Sequence, residues 1–349
     1  MHILDGTARA DMLDQLALLA GEGDEAVCVG PPPPHRLRLP MVSGHRPFGS
    51  ARLAGWRLRY RAEACDVIHA WSLEAMRAAA ELALAVGKPM VLSLACAADR
   101  EDVRAVRRIV GPGLFHVTVP TDSDCAALGR ARLPAGAVWV LPPAAEAVPD
   151  RPATRRRVRE SLGIGESTHV VAAPDPMIRH AGQHIASWAH AIVRQVVQDV
   201  CLLLPGGGPL ADHVRSFATT TGYNSQVLFP GERLSPHEVL AAADSAAFFH
   251  ERAIGVAGVA AAMVAGLPVV ASRLPDVAEL APDGEASLLA EPGDPRAAAA
   301  VLLKLLEDRG LADRLAGTAR RRAERLCAPE SCRCRLDEVY AAAAAEKVY

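Results

Sequence analysis

The side chains and backbone groups that could do chemistry in this sequence gather in a few short stretches. Gly206, Gly207 and Gly208 follow an apolar run in "CLLLPGGG". Glycines there let backbone N–H groups approach an anion closely, and they serve equally well in a plain tight turn. Further on, "HERAIGV" at 250–256 sets His250, Glu251 and Arg252 just ahead of Gly255 and Val256, where an Ala/Gly-rich helix is expected to begin. The unpaired N–H groups at a helix start carry partial positive charge and favour a diphosphate. Tight packing between sheets would also explain the small side chains, but not their place after a strand. Arg179 and His180 in "PDPMIRHAGQH" are basic side chains that could reach in from this loop. His69 leaves the strand-like run "DVIHAWS", and His116 starts "HVTVP". Each is a candidate for a polar ligand, and each is also an ordinary strand-end residue. Asp276 and Glu279 follow "VVAS"; Glu279 reads as a residue that caps or braces a helix.

Positioning these groups requires strands and helices in alternation, and the sequence supplies them. "HIL" (2–4) precedes a helix over Asp11–Ala20, whose Met12, Leu13, Leu16, Leu19 and Ala20 recur at helical spacing. "AVCVG" (26–30), "DVIHAWS" (66–72), "PMVLSLA" (89–95), "HVTVP" (116–120) and "AVWVLPP" (137–143) read as strands. Pro31–Pro34 make an extended loop, and Gly87 ends a helix over Leu73–Val86. The second half repeats the logic. Its strands are "HVVAAP" (169–174), "VCLLLPG" (200–206), "QVLFPG" (226–231), "SAAFFH" (245–250) and "LPVVAS" (267–272). Its helices are expected over Gly182–Gln195, Pro236–Ala243 and Gly255–Ala265, and residues 295–349 read as nearly all helical. Strands alternating with helices imply parallel sheets covered on both faces. The Pro/Ala-rich join at 142–157 separates two such blocks. Ligands of such sheets sit beyond the carboxyl ends of the strands, so the expected site is a cleft between two facing domains.

Composition excludes several classes. The 349 residues carry 38 Lys and Arg against 40 Asp and Glu, a net charge of −2, with no basic tract for nucleic acid. Arg155–Arg157 and Arg320–Arg322 sit in helical contexts and read as solvated faces. The start, "MHILDGTARADMLDQL", lacks a signal-peptide pattern. The longest apolar run, Val256–Ser272, is interrupted by Pro268 and is shorter than the roughly 20 residues of a membrane helix. A cytoplasmic location is the default expectation, and peripheral membrane contact stays open. Cys28, Cys65, Cys96 and Cys201 read as small buried hydrophobes. The C-x4-C-x-C spacing of Cys327, Cys332 and Cys334 fits no zinc pattern, so these read as incidental thiols on a terminal helix.

The order of motifs resembles the retaining glycosyltransferases of family 4, also called group 1, which have the GT-B fold. The resemblance runs through "CDVIHAWSLEAMRAAAELALAVGKPMVLSLA" (65–95), "VWVLPPAAE" (138–146) and "CLLLPGGGPLADHVRSFA" (201–218). It is most specific over 227–306, with "G-L-P-V-V-A-S" and the "D-G" and "E-P-G-D" turns. It implies two doubly wound Rossmann-like domains facing across a cleft. Residues 1–148 would form an acceptor domain and 149–330 a donor domain for a nucleotide-sugar. Residues 331–349 would be a helix that packs back on the first domain. It further implies sugar transfer from a nucleotide-sugar with retention, without a metal or other cofactor, to an acceptor that the sequence does not name.

The sequence departs from the family at the donor site. Family members carry two glutamates as E-x7-E around the donor helix. Counting back from Gly266 puts these places at Ala253 and Ala261, and Glu251 lies two residues early. A bound nucleoside would lose a charge-assisted hydrogen bond of roughly 1.5–3 kcal/mol. The family's Arg and Lys, R-x4-K-G, fall at Pro176 and Ala181. Positive charge stabilises the departing nucleoside diphosphate, and one well-placed donor is worth about 10²–10³ in rate. The residual site implied is Gly206, Gly207, Arg179, His250, Arg252, Gly255 and Val256 for the donor, with His69 and Glu251 as catalytic candidates. Two functions follow: a hexosyltransferase-type enzyme, or a catalytically inactive homologue that holds a sugar or a partner protein. A sugar-nucleotide epimerase is a weaker third reading, since no additional acids or histidines suit it. The acceptor side falls to the loops at 31–60, with His35, His45 and Trp56.

Overall fold

A computed structural model describes residues 1–5, 10–21, 24, 26–29, 41–44, 59–96, 103–104, 106, 115–129, 133, 136–220 and 226–345. The proline run at 31–34 and His35, His45 and Trp56 lie outside the described residues. The chain divides into two compact units, Met1–Ala144 with Cys327–Tyr349, and Ala145–Leu326.

Unit 1 holds a seven-stranded parallel sheet, whose strands are β1 (His2–Asp5), β2 (Ala26–Val29), β3 (Met41–Gly44), β4 (Ile68–Ala70), β5 (Met90–Ser93), β6 (Phe115–Val119) and β7 (Val138–Val140). Their order is β3-β2-β1-β4-β5-β6-β7. The described helices are α1 (Ala10–Leu19), α2 (Leu73–Val86) and α3 (Asp122–Gly129). Ser72 accepts the Ala75 N–H to start α2, and Gly87, at φ 66°, ends it.

Unit 2 holds a six-stranded parallel sheet of β8 (His169–Ala172), β9 (Val200–Leu203), β10 (Val227–Leu228), β11 (Ser245–Phe248), β12 (Val269–Ser272) and β13 (Ser287–Ala290), in the order β10-β9-β8-β11-β12-β13. Its helices are α4 (Arg151–Leu162), α5 (Gln183–Val193), α6 (Ala211–Thr220), α7 (Pro236–Ala242), α8 (Ala257–Val264), α9 (Pro275–Leu280), α10 (Pro295–Glu307) and α11 (Arg309–Leu326). In both sheets the order reverses beside the first strand of the unit, β1 in one and β8 in the other, as in doubly wound dinucleotide-binding sheets.

The last helix, α12 (Pro329–Ala345), groups with unit 1. It turns Cys332, Leu336, Val339 and Ala343 inward, a stripe at helical spacing. Cys332 packs with Leu4, Leu16 and Trp71, and burial pushes its thiol up to about 11.

Several expectations need correction. The strands Met41–Gly44 and Ser287–Ala290 were not foreseen; the second is only four residues long, between the Gly284 and Gly293 turns. Cys201 is buried, but Cys65 and Cys96 are only half-buried. Cys327 and Cys332 are core residues, while Cys334 is exposed.

The arginine runs are solvated faces only in part: Arg156, Arg157, Arg320 and Arg321 are exposed, whereas Arg155 and Arg322 are half-buried and bonded. Arg151, Arg155 and Arg159 line one face of α4, and all three donate to carbonyls at the end of α7, Ala242 or Ala243. Arg155 and Arg159 also bond the Asp244 carboxylate. Arg157 pairs with Glu238. Arg322 donates to the Leu280 and Glu279 carbonyls at the end of α9, 2.8 Å each. Guanidiniums thus meet the electronegative ends of two helices, where positive charge is favoured.

Burial raises the pKa of Asp244, but the Val170 N–H and the Arg155 and Arg159 guanidiniums outweigh it, and the net shift is downward. Asp244→Asn should therefore cost on the order of 3 kcal/mol in urea unfolding at pH 7, since Arg159 is left buried without its ionic partner. A depressed carboxyl contributes its full stability above its unfolded value of about 3.9 and loses it as pH falls through the folded value. The difference between variant and parent should close below about pH 4; a difference that persists to acid pH would remove the charge on Asp244 as its source.

Candidate functional site

The carboxyl ends of β8, β9 and β11 lead into three loops that press on one another. Glycine makes the contacts possible. A Cβ on Gly182, whose φ is 79°, would lie 1.9 Å from the Phe249 carbonyl oxygen. One on Gly206 would lie 2.5 Å from the Asp175 carbonyl oxygen, and one on Gly208 2.6 Å from that of Met177. Hydrogen bonds stitch the same loops: Met177 N–H to the Gly207 carbonyl (2.8 Å), Leu210 N–H to the Met177 carbonyl (3.0 Å) and Glu251 N–H to the His180 carbonyl (3.0 Å). β8 and β11 are neighbours at the point where the strand order reverses. Crevices at such points are where open α/β sheets take their ligands.

Two carboxylate–imidazole clusters sit in these loops. Glu251 Oε2 accepts from His180 Nδ1 at 2.8 Å, and its Oε1 lies 3.3 Å from His184 Nε2. His180 adopts φ 68°, a left-handed conformation that a non-glycine residue keeps only when its surroundings enforce it. The second cluster pairs His250 Nε2 with Asp175 Oδ2 at 2.7 Å.

α8 begins one turn beyond this. The expected start near Gly255 falls slightly later: Val256 is the N-cap, and the helix runs from Ala257. Gly255 takes φ 114°. No side chain caps α8 and no acid lies in its first turn, so its N-terminal N–H groups keep their partial positive charge.

The structure brings Gly206, Gly207, His250, Glu251, Gly255 and Val256 into this loop cluster. Gly207 is exposed, while Gly255 and Val256 are buried. Arg179 sits on the β8–α5 loop, exposed and with no ion pair among the described residues. Arg252 is exposed on the β11–α8 loop. Sequence reasoning passed over Asp175, which stands between two prolines in "APDPM" and looks like a plain turn residue. It also passed over His184, and Gly182, a glycine directly before a helix.

His69 lies in unit 1, at the middle of β4 and 1 % exposed. Its Nδ1 is 2.7 Å from the Tyr340 hydroxyl of α12, and its Nε2 is 2.8 Å from Ser93 Oγ, which bonds Thr118 in turn. It stacks on Trp71 at 4.3 Å. Burial holds its pKa well below the usual histidine value, so any role it takes is that of a neutral ring. His116 is also buried and accepts from Trp139 Nε1 at 2.9 Å. No helix among the described residues is long and apolar enough to cross a membrane.

Residues 177–308, which contain most of this loop cluster, match the family described as Glycosyl transferases group 1. The chain is 29% identical over 218 residues to a GDP-mannose-dependent alpha-(1-6)-phosphatidylinositol monomannoside mannosyltransferase of Mycolicibacterium smegmatis. That match takes in 59% of this chain and 56% of the relative, so it spans about half the relative's length. Among solved structures, HepE from Anabaena in complex with UDP and glucose superposes with a TM-score of 0.84 at 19% identity, covering 97% of this chain and 99% of that one. WaaG, a glycosyltransferase involved in lipopolysaccharide biosynthesis, gives a TM-score of 0.71 at 17% identity, covering 95% and 98%. These likenesses establish the α/β GT-B fold.

Gly182→Ala should separate the loops. It puts a methyl into the Phe249 carbonyl at a left-handed position, and a loss well above 2 kcal/mol is expected in urea unfolding. Gly163→Ala, at φ 67° with nothing within 4 Å, should cost only about 1–2 kcal/mol. Equal losses for the two variants would mean that the close approach is not what requires glycine at 182.

Proposed function

From a chain that matches the family of group 1 glycosyl transferases over residues 177–308 and has the GT-B fold, we infer a protein that transfers a sugar from a nucleotide-sugar donor. The observation that carries this reading is the uncapped start of α8 among the glycine-fitted loops of β8, β9 and β11. In this reading the diphosphate lies at Gly206, Gly207, Gly255 and Val256, where backbone N–H groups and the helix dipole face it. Arg179, exposed and with no ion pair among the described residues, closes on the phosphates and supplies the positive charge that the leaving group needs. Arg252 adds a second cation from the facing loop. Glu251, held at both oxygens by His180 and His184, is the carboxylate of the sugar end. His250 supports the loop that carries it. His69 belongs to the acceptor unit as a buried neutral ring. Retention of the anomeric configuration follows from the sequence resemblance, and no metal takes part.

A second reading has its own support. By the sequence resemblance, the places of the family's Arg, Lys and two Glu fall at Pro176, Ala181, Ala253 and Ala261, and Ala181 is buried. A homologue that binds a sugar or a partner without turnover would tolerate these losses. A membrane acceptor is compatible with either reading.

UDP, GDP and ADP should be tested by thermal shift. HepE was solved with UDP and the mycobacterial relative uses GDP-mannose, so UDP and GDP come first. A ligand at 100 times its Kd stabilises by about 2.7 kcal/mol, a rise of several degrees in Tm. The enzyme reading further expects UDP or GDP release from the matching nucleotide-sugar. Binding without release selects the second reading, and no response to any nucleotide would sink the donor-site assignment. Arg179→Ala should abolish the shift; an unchanged shift removes Arg179 from the site.

A further inference from the structure

We propose that Asp175 is a positioning residue: acting through His250, it fixes the first turn of α8 against the loops that leave β8 and β9. The inference rests on the reading above that this end of unit 2 receives a nucleotide-sugar.

Asp175 is the point at which the loops meet. Its Oδ2 accepts from His250 Nε2 at 2.7 Å, linking the ends of β8 and β11 across the reversal in strand order. Its Oδ1 lies 3.2 Å from where a Cβ on Gly258, in the first turn of α8, would stand. Phe248 Cε1 lies 2.9 Å from that same point, and the Phe248 ring meets His250 edge-on. The backbone carbonyl of Asp175 accepts from Gln183 Nε2 of α5 at 2.9 Å and faces Gly206 of the β9 loop. One residue therefore touches every element around the helix start.

The chemistry of the pair points beyond space-filling. A carboxylate only accepts, so Nε2 carries the proton in this bond, and the ring orientation is set by it. The other nitrogen, Nδ1, is buried and has no hydrogen-bond partner among the described residues, in a ring that is 1 % exposed. An orphaned buried polar atom is costly, and an apolar residue of similar size would avoid the penalty. The retained imidazole is explained by what its Nε2 does: it ties the carboxylate of one loop to the other. α8 has no cap and no first-turn acid of its own, so its start is held from outside the helix. A preformed helix start binds an anion without first being ordered, and its loss appears as weaker binding.

The test compares Asp175→Ala, Asp175→Asn, His250→Ala and the double alanine variant with the parent chain. In ligand-free protein, amide exchange of the 255–264 segment should quicken about tenfold in both alanine variants, while the 287–305 segment stays as in the parent. Asp175→Asn keeps an oxygen acceptor for His250 and should exchange like the parent. By calorimetry with UDP and GDP, each alanine variant should bind about tenfold more weakly. The double variant should be no weaker than either single one, because the two residues act as a unit. Unchanged exchange in Asp175→Ala overturns the proposal. So does acceleration across both segments, which would mark a general core role, and so does tighter nucleotide binding by Asp175→Asn, which would mean that the charge merely opposes the ligand. A parent chain that binds neither nucleotide defeats the donor-site reading, and the exchange comparison then decides the positioning role by itself.

Discussion

The Phe249 carbonyl oxygen occupies the space where a side chain at residue 182 would have to be. That contact requires a glycine in a left-handed conformation before α5, and it brings the β8 loop and the β11 loop together where the strand order reverses. The rest of the candidate site depends on it. With the loops this close, the Glu251 N–H reaches the His180 carbonyl, His180 is held at a positive φ, and His250 meets Asp175. A parallel sheet creates the crevice by its winding; glycine decides how far the crevice closes.

The charge in this crevice is arranged differently from what the family resemblance implies. By that resemblance, the places of two basic residues and two glutamates fall at Pro176, Ala181, Ala253 and Ala261. In their neighbourhood stand Asp175 and Glu251, each bonded to histidine, and the exposed Arg179 and Arg252. Carboxylates engaged by imidazoles can sit near a helix start without being bare negative charges. In the proposed donor-site reading, backbone N–H groups and the α8 dipole bear more of the task of meeting an anion than in a site lined with cations.

Elsewhere in unit 2, arginine serves structure. The α4 stripe of Arg151, Arg155 and Arg159 and the α11 residue Arg322 each satisfy carbonyls at a helix end. A planar guanidinium with five donors in a fixed fork can bond two carbonyls and a carboxylate together in one set geometry. One arginine of each basic run that stands out in the sequence, Arg155 and Arg322, thus joins helices.

The sequence alone determined the winding of strands and helices, because burial on both faces demands unbroken apolar runs and helix packing demands a 3.6-residue period. It placed the β8, β9, β11 and β12 strands, the Gly206–Gly208 turn and the helix after Gly255, all local patterns. It passed over Ser287–Ala290, a short run between the Gly284 and Gly293 turns. Only the tertiary structure decided partners. The single aspartate of "APDPM" gains meaning from His250, 75 residues away. Arg155 looks solvated until α7 presents its carbonyls, and His69 looks like a strand exit until Tyr340 from the last helix meets its ring. The reason is physical: periodicity records which face of an element is buried, whereas hydrogen bonds and close contacts depend on which distant element covers that face.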